Sequence, residues 1–247
     1  MTLQDFFRDN PKAALAFSGG ADSAYLLYAA LENGAETGAY YVKSPFQPRF
    51  ELEDARRLCE ELNTELHVLE LDVLAEDSVR SNPAQRCYDC KKMIFRRISE
   101  AAQRDGFSLL MDGTNASDDA GDRPGMRALG ELNVRSPLRE CGLTKAEIRR
   151  RSREAGLFTW DKPAYACLAT RIPEGVQITE EMLRKTEKAE NYLFSLGFTD
   201  FRIRYAHGCA RIQVPEGQLG SVMEKRAEIL KELKQYYDAV LLDLEVR

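Results

Sequence analysis

The stretch Ala13-Ala14-Leu15-Ala16-Phe17-Ser18-Gly19-Gly20-Ala21-Asp22-Ser23 decides the fold of this 247-residue chain. Its first five residues form an apolar run of the length of one buried parallel strand. Residues 23–31 then read as a helix that is apolar nearly all round, closing at Asn33-Gly34. A strand, a glycine pair and a helix in that order aim backbone N–H groups and a positive helix end at one point. Ser18 and Ser23 add hydroxyls there, which makes chemistry for a pyrophosphate-sized anion. Asp22 is the odd member, because a carboxylate beside phosphate is repulsive unless a divalent cation lies between them. The loop has neither the Gly-Lys-Ser/Thr of a Walker A motif nor Gly-x-Gly-x-x-Gly. The plainer alternative is an ordinary strand–helix turn in which Ser and Asp act only as caps.

Working outward, residues 37–42, 65–71 and 108–111 read as three more strands, and 51–62, 86–104 and 144–155 as helices. The last helix opens with a capping-box pair, Thr144 and Glu147. Strands alternating with helices of this length argue for a parallel sheet with right-handed crossovers. Asp112-Gly113-Thr114-Asn115 follows the fourth strand, and residues 115–124, holding Asp118, Asp119, Gly121 and Asp122, read as a polar loop. Past Pro163 the order changes to helix 179–196, strands 201–205 and 211–214, helix 216–235 and strand 238–244. The expected organisation is therefore an α/β domain over residues 1–165 and a smaller α+β C-terminal domain over 166–247.

Hydrophobic residues make up 44% of the chain and charged residues 30%, enough apolar content for a packed core. With 35 Lys+Arg against 40 Asp+Glu, the net charge of −5 gives no electrostatic footprint for wholesale nucleic-acid or anionic-membrane binding. No apolar run approaches the roughly 20 residues of a membrane helix. The first eight residues show no basic and apolar leader pattern, so a cytoplasmic location is expected. Six cysteines are too sparse for a disulfide scaffold and read as reduced thiols, metal ligands or catalytic groups.

Cys87 and Cys90 form one Cys-x-x-Cys at a helix start, and Cys167 precedes Leu168-Ala169-Thr170-Arg171. The pair alone is open among a redox couple, half a zinc site, cluster ligands and packing residues. Three thiolates without a fourth would leave one metal position open, and His67 and His207, the only histidines, supply no local fourth ligand. Cys59, Cys141 and Cys209 read as structural. Of the basic residues, the run Arg149-Arg150-Arg151 with Arg153 reads as a solvated helix face. Arg171, Arg204 and Arg211 stand alone in apolar or turn contexts, where a planar fork suits carboxylate or phosphate. Trp160 reads as core, with ring stacking on a substrate as the sharper alternative.

Ser18-Gly19-Gly20-x-Asp22-Ser23 resembles the PP-loop of the ATP pyrophosphatases, whose fold is adenine nucleotide alpha hydrolase-like. That superfamily cleaves ATP between its α- and β-phosphates and adenylates a substrate. Three further strings narrow the resemblance: Arg86-Cys87-Tyr88-Asp89-Cys90-Lys91, Asp112-Gly113-Thr114-Asn115, and Lys162-Pro163-Ala164-Tyr165-Ala166-Cys167-Leu168-Ala169-Thr170-Arg171-Ile172-Pro173. Together they are similar to the LarE family, the ATP-dependent sulfur transferases that mature the nickel-pincer cofactor of lactate racemase.

The resemblance implies ATP and Mg²⁺ at Ser18, Gly19, Gly20, Asp22, Ser23, Asp112, Thr114 and Asn115. It implies Asp22, Cys87, Cys90 and Cys167 as catalytic residues, with Cys87, Cys90 and Cys167 also the ligands of a [4Fe-4S] cluster. It implies a pyridinium dicarboxylate mononucleotide held by Arg171, Arg204 and Arg211. In some members the equivalent of Cys167 gives up its own sulfur, and the three-cysteine pattern leans toward the cluster-bearing type. Competing readings are a tRNA-thiolating enzyme of the same chemistry, an amide synthetase, and a non-catalytic nucleotide sensor. The acidic balance speaks against tRNA, the absence of an N-terminal Cys or glutaminase domain against the amide synthetase, and idle cysteines against the sensor. Unpaired strand edges in the small C-terminal unit, with the resemblance, lead to the expectation of a homo-oligomer.

Overall fold

A computed structural model describes residues 1–118 and 124–247. In chain order the elements are α1 (Leu3–Asp9), β1 (Lys12–Ala16), α2 (Ala21–Glu32), β2 (Glu36–Lys43), α3 (Arg49–Glu61), β3 (Leu66–Glu70), α4 (Asp77–Arg80), α5 (Arg86–Arg104) and β4 (Leu110–Asp112). They continue as α6 (Pro124–Glu131), α7 (Pro137–Glu140), α8 (Lys145–Glu154), α9 (Glu180–Ser195), β5 (Arg202–Ala206), β6 (Cys209–Gln213), α10 (Leu219–Glu224), α11 (Arg226–Leu233) and β7 (Val240–Leu242). The chain divides into two compact units, Met1–Val73 with Gln85–Lys162, and Leu74–Ala84 with Pro163–Arg247.

The first unit is an α/β layer structure around a four-stranded sheet of order β3-β2-β1-β4, all pairs parallel. Alternation along the strands sends Ala13, Leu15, Ala39 and Tyr41 to one face, where α1, α2, α3 and α8 cover them. Ala14, Tyr40 and Val42 point to the other face, onto Ile98, Ala101 and Ala102 of α5. Both faces are therefore dry, which is why β1 and β2 read as unbroken apolar runs. The topology places β1 between β2 and β4, so the strand order reverses at the carboxyl ends of β1 and β4. In open α/β sheets that switch point is where the ligand crevice forms.

In the second unit, α9 packs on a three-stranded sheet of order β5-β6-β7, antiparallel between β5 and β6 and parallel between β6 and β7. The β5–β6 hairpin turns on His207 and Gly208, both at positive φ, as a tight two-residue turn demands. Phe198, Phe201, Ile203, Ala210, Ile212 and Val214 form its core with Ala189 and Leu193 of α9. The fold class is thus α/β with a second, smaller α+β unit.

The structure departs from the sequence reading in several details. The span 216–235 is not one helix: a 3₁₀ turn leads into α10 and α11, which meet at Lys225. Thr144 caps α8 through Glu147 N–H, but the Glu147 carboxylate takes Arg150 and Arg151 instead of closing the box. Residues 74–84 join the second unit because Arg80 and Asn82 carbonyls accept from the N–H groups of Ile178 and Gly175. The Asn82 amide in turn donates to the carbonyls of Ile172 and Pro173. Asp119, Gly121 and Asp122 of the expected polar loop lie outside the described residues.

Candidate active site

In the first unit the residues 18–23 connect β1 to α2 at the switch point. Gly19 has φ +71, and a Cβ there would lie 2.9 Å from the Glu51 carbonyl oxygen and 3.3 Å from Ala55. Only glycine fits that approach to α3. The Ser23 hydroxyl sits at the centre of the loop, 3.0 Å from the Ser18 hydroxyl and donating to the Gly20 carbonyl at 3.2 Å. Gly20 is the N-cap of α2, and no side chain caps it. Neither Ser nor Asp22 acts as a cap, so the plain strand–helix turn is not what the loop builds. Its helix N-terminus is left with unsatisfied N–H groups, the usual dock for an anion.

Asp22 has a divided environment. Its Oδ2 takes Lys145 Nζ at 2.6 Å and the Asn115 amide at 3.4 Å, while its Oδ1 is buried with no hydrogen-bond partner. A buried orphan carboxylate oxygen is costly and fits a divalent cation. Asp22 and the adjoining N–H groups therefore suit Mg²⁺ and a polyphosphate together. Lys162 reaches the same loop, with Nζ 3.2 Å from the Gly19 carbonyl oxygen and 2.5 Å from Asp54.

These two lysines are the residues that sequence reasoning missed. Lys145 directly follows the recognised cap Thr144, and Lys162 stands in a quoted motif, yet neither position signals a partner more than a hundred residues away.

Asp112, Thr114 and Asn115 lie at the carboxyl end of β4, facing that loop. A Cβ on Gly113 would meet the backbone of Ser23 at 2.8 Å, so the two loops touch. Their side chains are linked to one another and to neighbouring loops. Asp112 Oδ1 accepts from Ser136 Oγ at 2.7 Å, and its Oδ2 from Thr114 Oγ1 at 2.5 Å. Asn115 is spent on Asp22 and on the N–H of Ser117.

Cys87 and Cys90 lie in the first turns of α5. Cys87 is exposed, with an Arg86 guanidinium N–H 3.4 Å from its sulfur, and Cys90 is buried. Cys167 belongs to the second unit. Among the described residues no group of three or more His, Cys, Asp or Glu is placed to hold a metal ion. Cys59 sits in the core, where burial pushes its thiol up to about 11. Trp160 lies beneath Arg153 at 5.0 Å, and Arg150 and Arg151 are paired with acids on their own helix.

In the second unit Cys167 lies on a segment stitched to the sheet. Arg202 donates to the Ala164 carbonyl at 2.7 Å, and Arg204 to the Thr170 carbonyl at 3.2 Å. Arg202 and Arg204 share one face of β5, and Arg204 stands opposite Arg211 on β6. The apolar residues Ile203 and Ile212 fill the other face. Burial pulls the Arg202 guanidinium down to about 10, reinforced by Arg171 and Arg247, and burial likewise lowers Arg204. Crowded cations of this kind gain from an anion among them.

Arg171 does not belong with these substrate candidates. Its side chain is fully buried and its fork is closed on Glu190, at 2.8 Å from Nε and 3.0 Å from Nη2. Arg204 and Arg211 keep exposed or half-exposed heads.

A glycine loop at the switch point of a 3-2-1-4 parallel sheet, with its cations supplied from elsewhere in the domain, defines a PP-loop nucleotide-binding protein. Consistent with that class, the family model for the queuosine biosynthesis protein QueC matches residues 12–96. The chain is 32% identical over 246 residues to the pyridinium-3,5-bisthiocarboxylic acid mononucleotide synthase of Lactiplantibacillus plantarum, covering 98% of this chain and 89% of the relative. It is 34% identical to an uncharacterized protein of Synechocystis sp., covering 98% and 92% of the two chains. An uncharacterized protein of Methanocaldococcus jannaschii is 32% identical, covering 99% and 93%. The chain belongs to the LarE family of ATP-dependent sulfur transferases.

Proposed function

We propose that this protein adenylates a carboxylate of a pyridinium dicarboxylate mononucleotide and converts it to a thiocarboxylate. The observation that carries the reading is the Ser18–Ser23 loop: an uncapped helix N-terminus beside a buried, unpartnered carboxylate oxygen. A carboxylate is a poor acyl donor, and AMP is the leaving group that makes it a good one. The substrate carboxylate oxygen attacks the α-phosphorus of ATP, and pyrophosphate departs. Ser18, Gly19, Gly20 and Ser23 bind its phosphates, Asp22 holds Mg²⁺, and Lys145 and Lys162 supply positive charge that the loop itself lacks.

A sulfur nucleophile then attacks the acyl carbon and displaces AMP. Cys167 carries that sulfur, with Arg204 and Arg211 holding the anionic groups of the substrate. If Cys167 gives its own sulfur, the Cα proton is removed, the Cβ–S bond breaks to release the thiocarboxylate, and dehydroalanine is left at 167. A [4Fe-4S] cluster on Cys87, Cys90 and Cys167 would instead supply an iron on which an incoming sulfur binds.

None of the six cysteines is in a disulfide, which suits the reducing cytoplasm, and no described helix is long and apolar enough to cross a membrane. Edge strand β7 with exposed Leu241, and Leu244 beyond it, supports assembly as a homo-oligomer. Light scattering at micromolar concentration tests that, and a monomer would refute it.

The deciding experiment follows pyrophosphate from ATP with and without the mononucleotide, then weighs the peptide bearing Cys167. Substrate-dependent release with formation of a thiocarboxylate is expected; binding of ATP without turnover would overturn the reading. Loss of the elements of hydrogen sulfide from that peptide marks sacrifice. An intact peptide, with iron and sulfide in anaerobically purified protein, marks the cluster route.

A further inference from the structure

The Cys167 segment is gripped on both sides by one buried residue. Arg171 Nη1 donates to the Ala166 carbonyl at 2.9 Å, before the cysteine, and to the Thr170 hydroxyl at 2.8 Å, after it. That hydroxyl in turn donates to the Cys167 carbonyl at 2.8 Å. The other two guanidinium nitrogens are held by both oxygens of Glu190 on α9. Glu190 also accepts from the Ile203 N–H of β5 at 2.9 Å and from the Tyr165 hydroxyl, and the Tyr165 ring lies 4.5 Å from the guanidinium carbon. Beside the outer ties from Arg202 and Arg204, the Arg171 fork thus joins the residues flanking Cys167 to helix and sheet.

A wholly buried ion pair is a poor way to gain stability, since desolvating both charges offsets most of their attraction, and apolar residues of similar volume often serve better. What the pair does supply is a fixed direction: a rigid planar fork whose three nitrogens all donate to acceptors of known position. We propose that Arg171, oriented by Glu190, is a positioning residue for sulfur transfer, fixing the backbone on both sides of Cys167 so that its side chain meets the acyl adenylate in one geometry. The proposal rests on the reading of Cys167 as the sulfur carrier.

The test separates the two half-reactions. Arg171→Lys keeps the charge and loses the fork; Thr170→Val removes only the hydroxyl between Arg171 and the Cys167 carbonyl, and keeps the proposal testable where the first variant folds poorly. Expected for both is unchanged substrate-dependent pyrophosphate release, with single-turnover formation of thiocarboxylate slowed about tenfold or more, as a misplacement near 1 Å would cause. Alkylation by iodoacetamide is measured in parallel without substrate, where Cys167 is expected to change rate about threefold or more while exposed Cys87 does not. Unchanged sulfur transfer and unchanged Cys167 alkylation in folded protein would overturn the proposal. So would a parallel fall in both half-reactions, the signature of a merely structural role. A wild-type protein that releases no pyrophosphate would count against the adenylation reading alone, since the alkylation comparison still decides on Arg171.

Discussion

Lys145 Nζ lies 2.6 Å from Asp22 Oδ2 across 123 residues of sequence. The pair puts a cation where the motif has none, and it leaves the second oxygen of Asp22 buried and unpaired. In a Walker A loop the lysine is part of the motif itself; here the beginning of α8 delivers it. In the proposed function Asp22 would hold Mg²⁺ and Lys145 would supply positive charge to the phosphates.

Lys145→Met is therefore expected to lower substrate-dependent pyrophosphate release by on the order of tenfold to a hundredfold, comparable to loss of one preorganised electrostatic contact. Lys145→Arg should recover part of it. Asp22→Ala should abolish release while circular dichroism shows an intact fold. Release at the wild-type rate in Asp22→Ala would remove the cation from the loop.

Replacing Arg171 by Met strands the Glu190 carboxylate in the core, and a loss of about 3–5 kcal/mol is expected. The double replacement Arg171→Met with Glu190→Leu should regain most of that stability. Denaturant melts of the three proteins check this. A double variant no more stable than the single would mean that the hydroxyl and carbonyl contacts, not the charges, hold the segment.

The alkaline limb of the stability curve carries a mark of Cys59. Burial raises its thiol from an ordinary 9 to about 11, so between those values the unfolded chain gives up the proton and the folded chain keeps it. Stability is intact below pH 9 and falls as pH rises to 11, by up to about 2–3 kcal/mol from this group. Cys59→Ala should show a correspondingly shallower fall in urea midpoints between pH 9 and 11, whatever its stability at neutral pH.

Gly19→Ala should both destabilise the first unit and weaken ATP binding. The new Cβ meets the Glu51 carbonyl at 2.9 Å in a backbone conformation that L-residues avoid, a strain of order 1–3 kcal/mol. Isothermal titration with ATP and Mg²⁺, beside a thermal melt, reads both effects. Unaltered binding in a stably folded variant would place the phosphates elsewhere.

The parts of this fold legible in sequence are those with local causes. Arg86–Arg104 is found to the residue because its apolar spacing is helical, and the sheet follows from apolar runs punctuated by glycine. The short α1 carries a local signal too, a Thr2–Asp5 capping box ahead of Phe6 and Phe7, which a search of the N-terminus for a leader passes over. The two lysines at the loop, by contrast, owe their positions to tertiary packing.

Arg171 is the instructive error. Read by itself it is an isolated planar fork suited to a carboxylate or phosphate. The clue to its partner lies in α9, where Leu183, Thr186, Glu190 and Leu193 share the buried stripe. A glutamate on an apolar stripe asks for a buried cation, and the isolated arginine nearby in sequence answers it.

The second unit is assembled from two stretches of chain, one of which is inserted between β3 and α5 of the first. A ribosome releases residues 74–84 long before Ile172, Gly175 and Ile178 exist to receive them. Until then that segment can make only its own local α4 hydrogen bonds. No single cut in the gene yields either unit whole, so neither can be transplanted by a simple fusion. The two halves of this protein are bound to be inherited together.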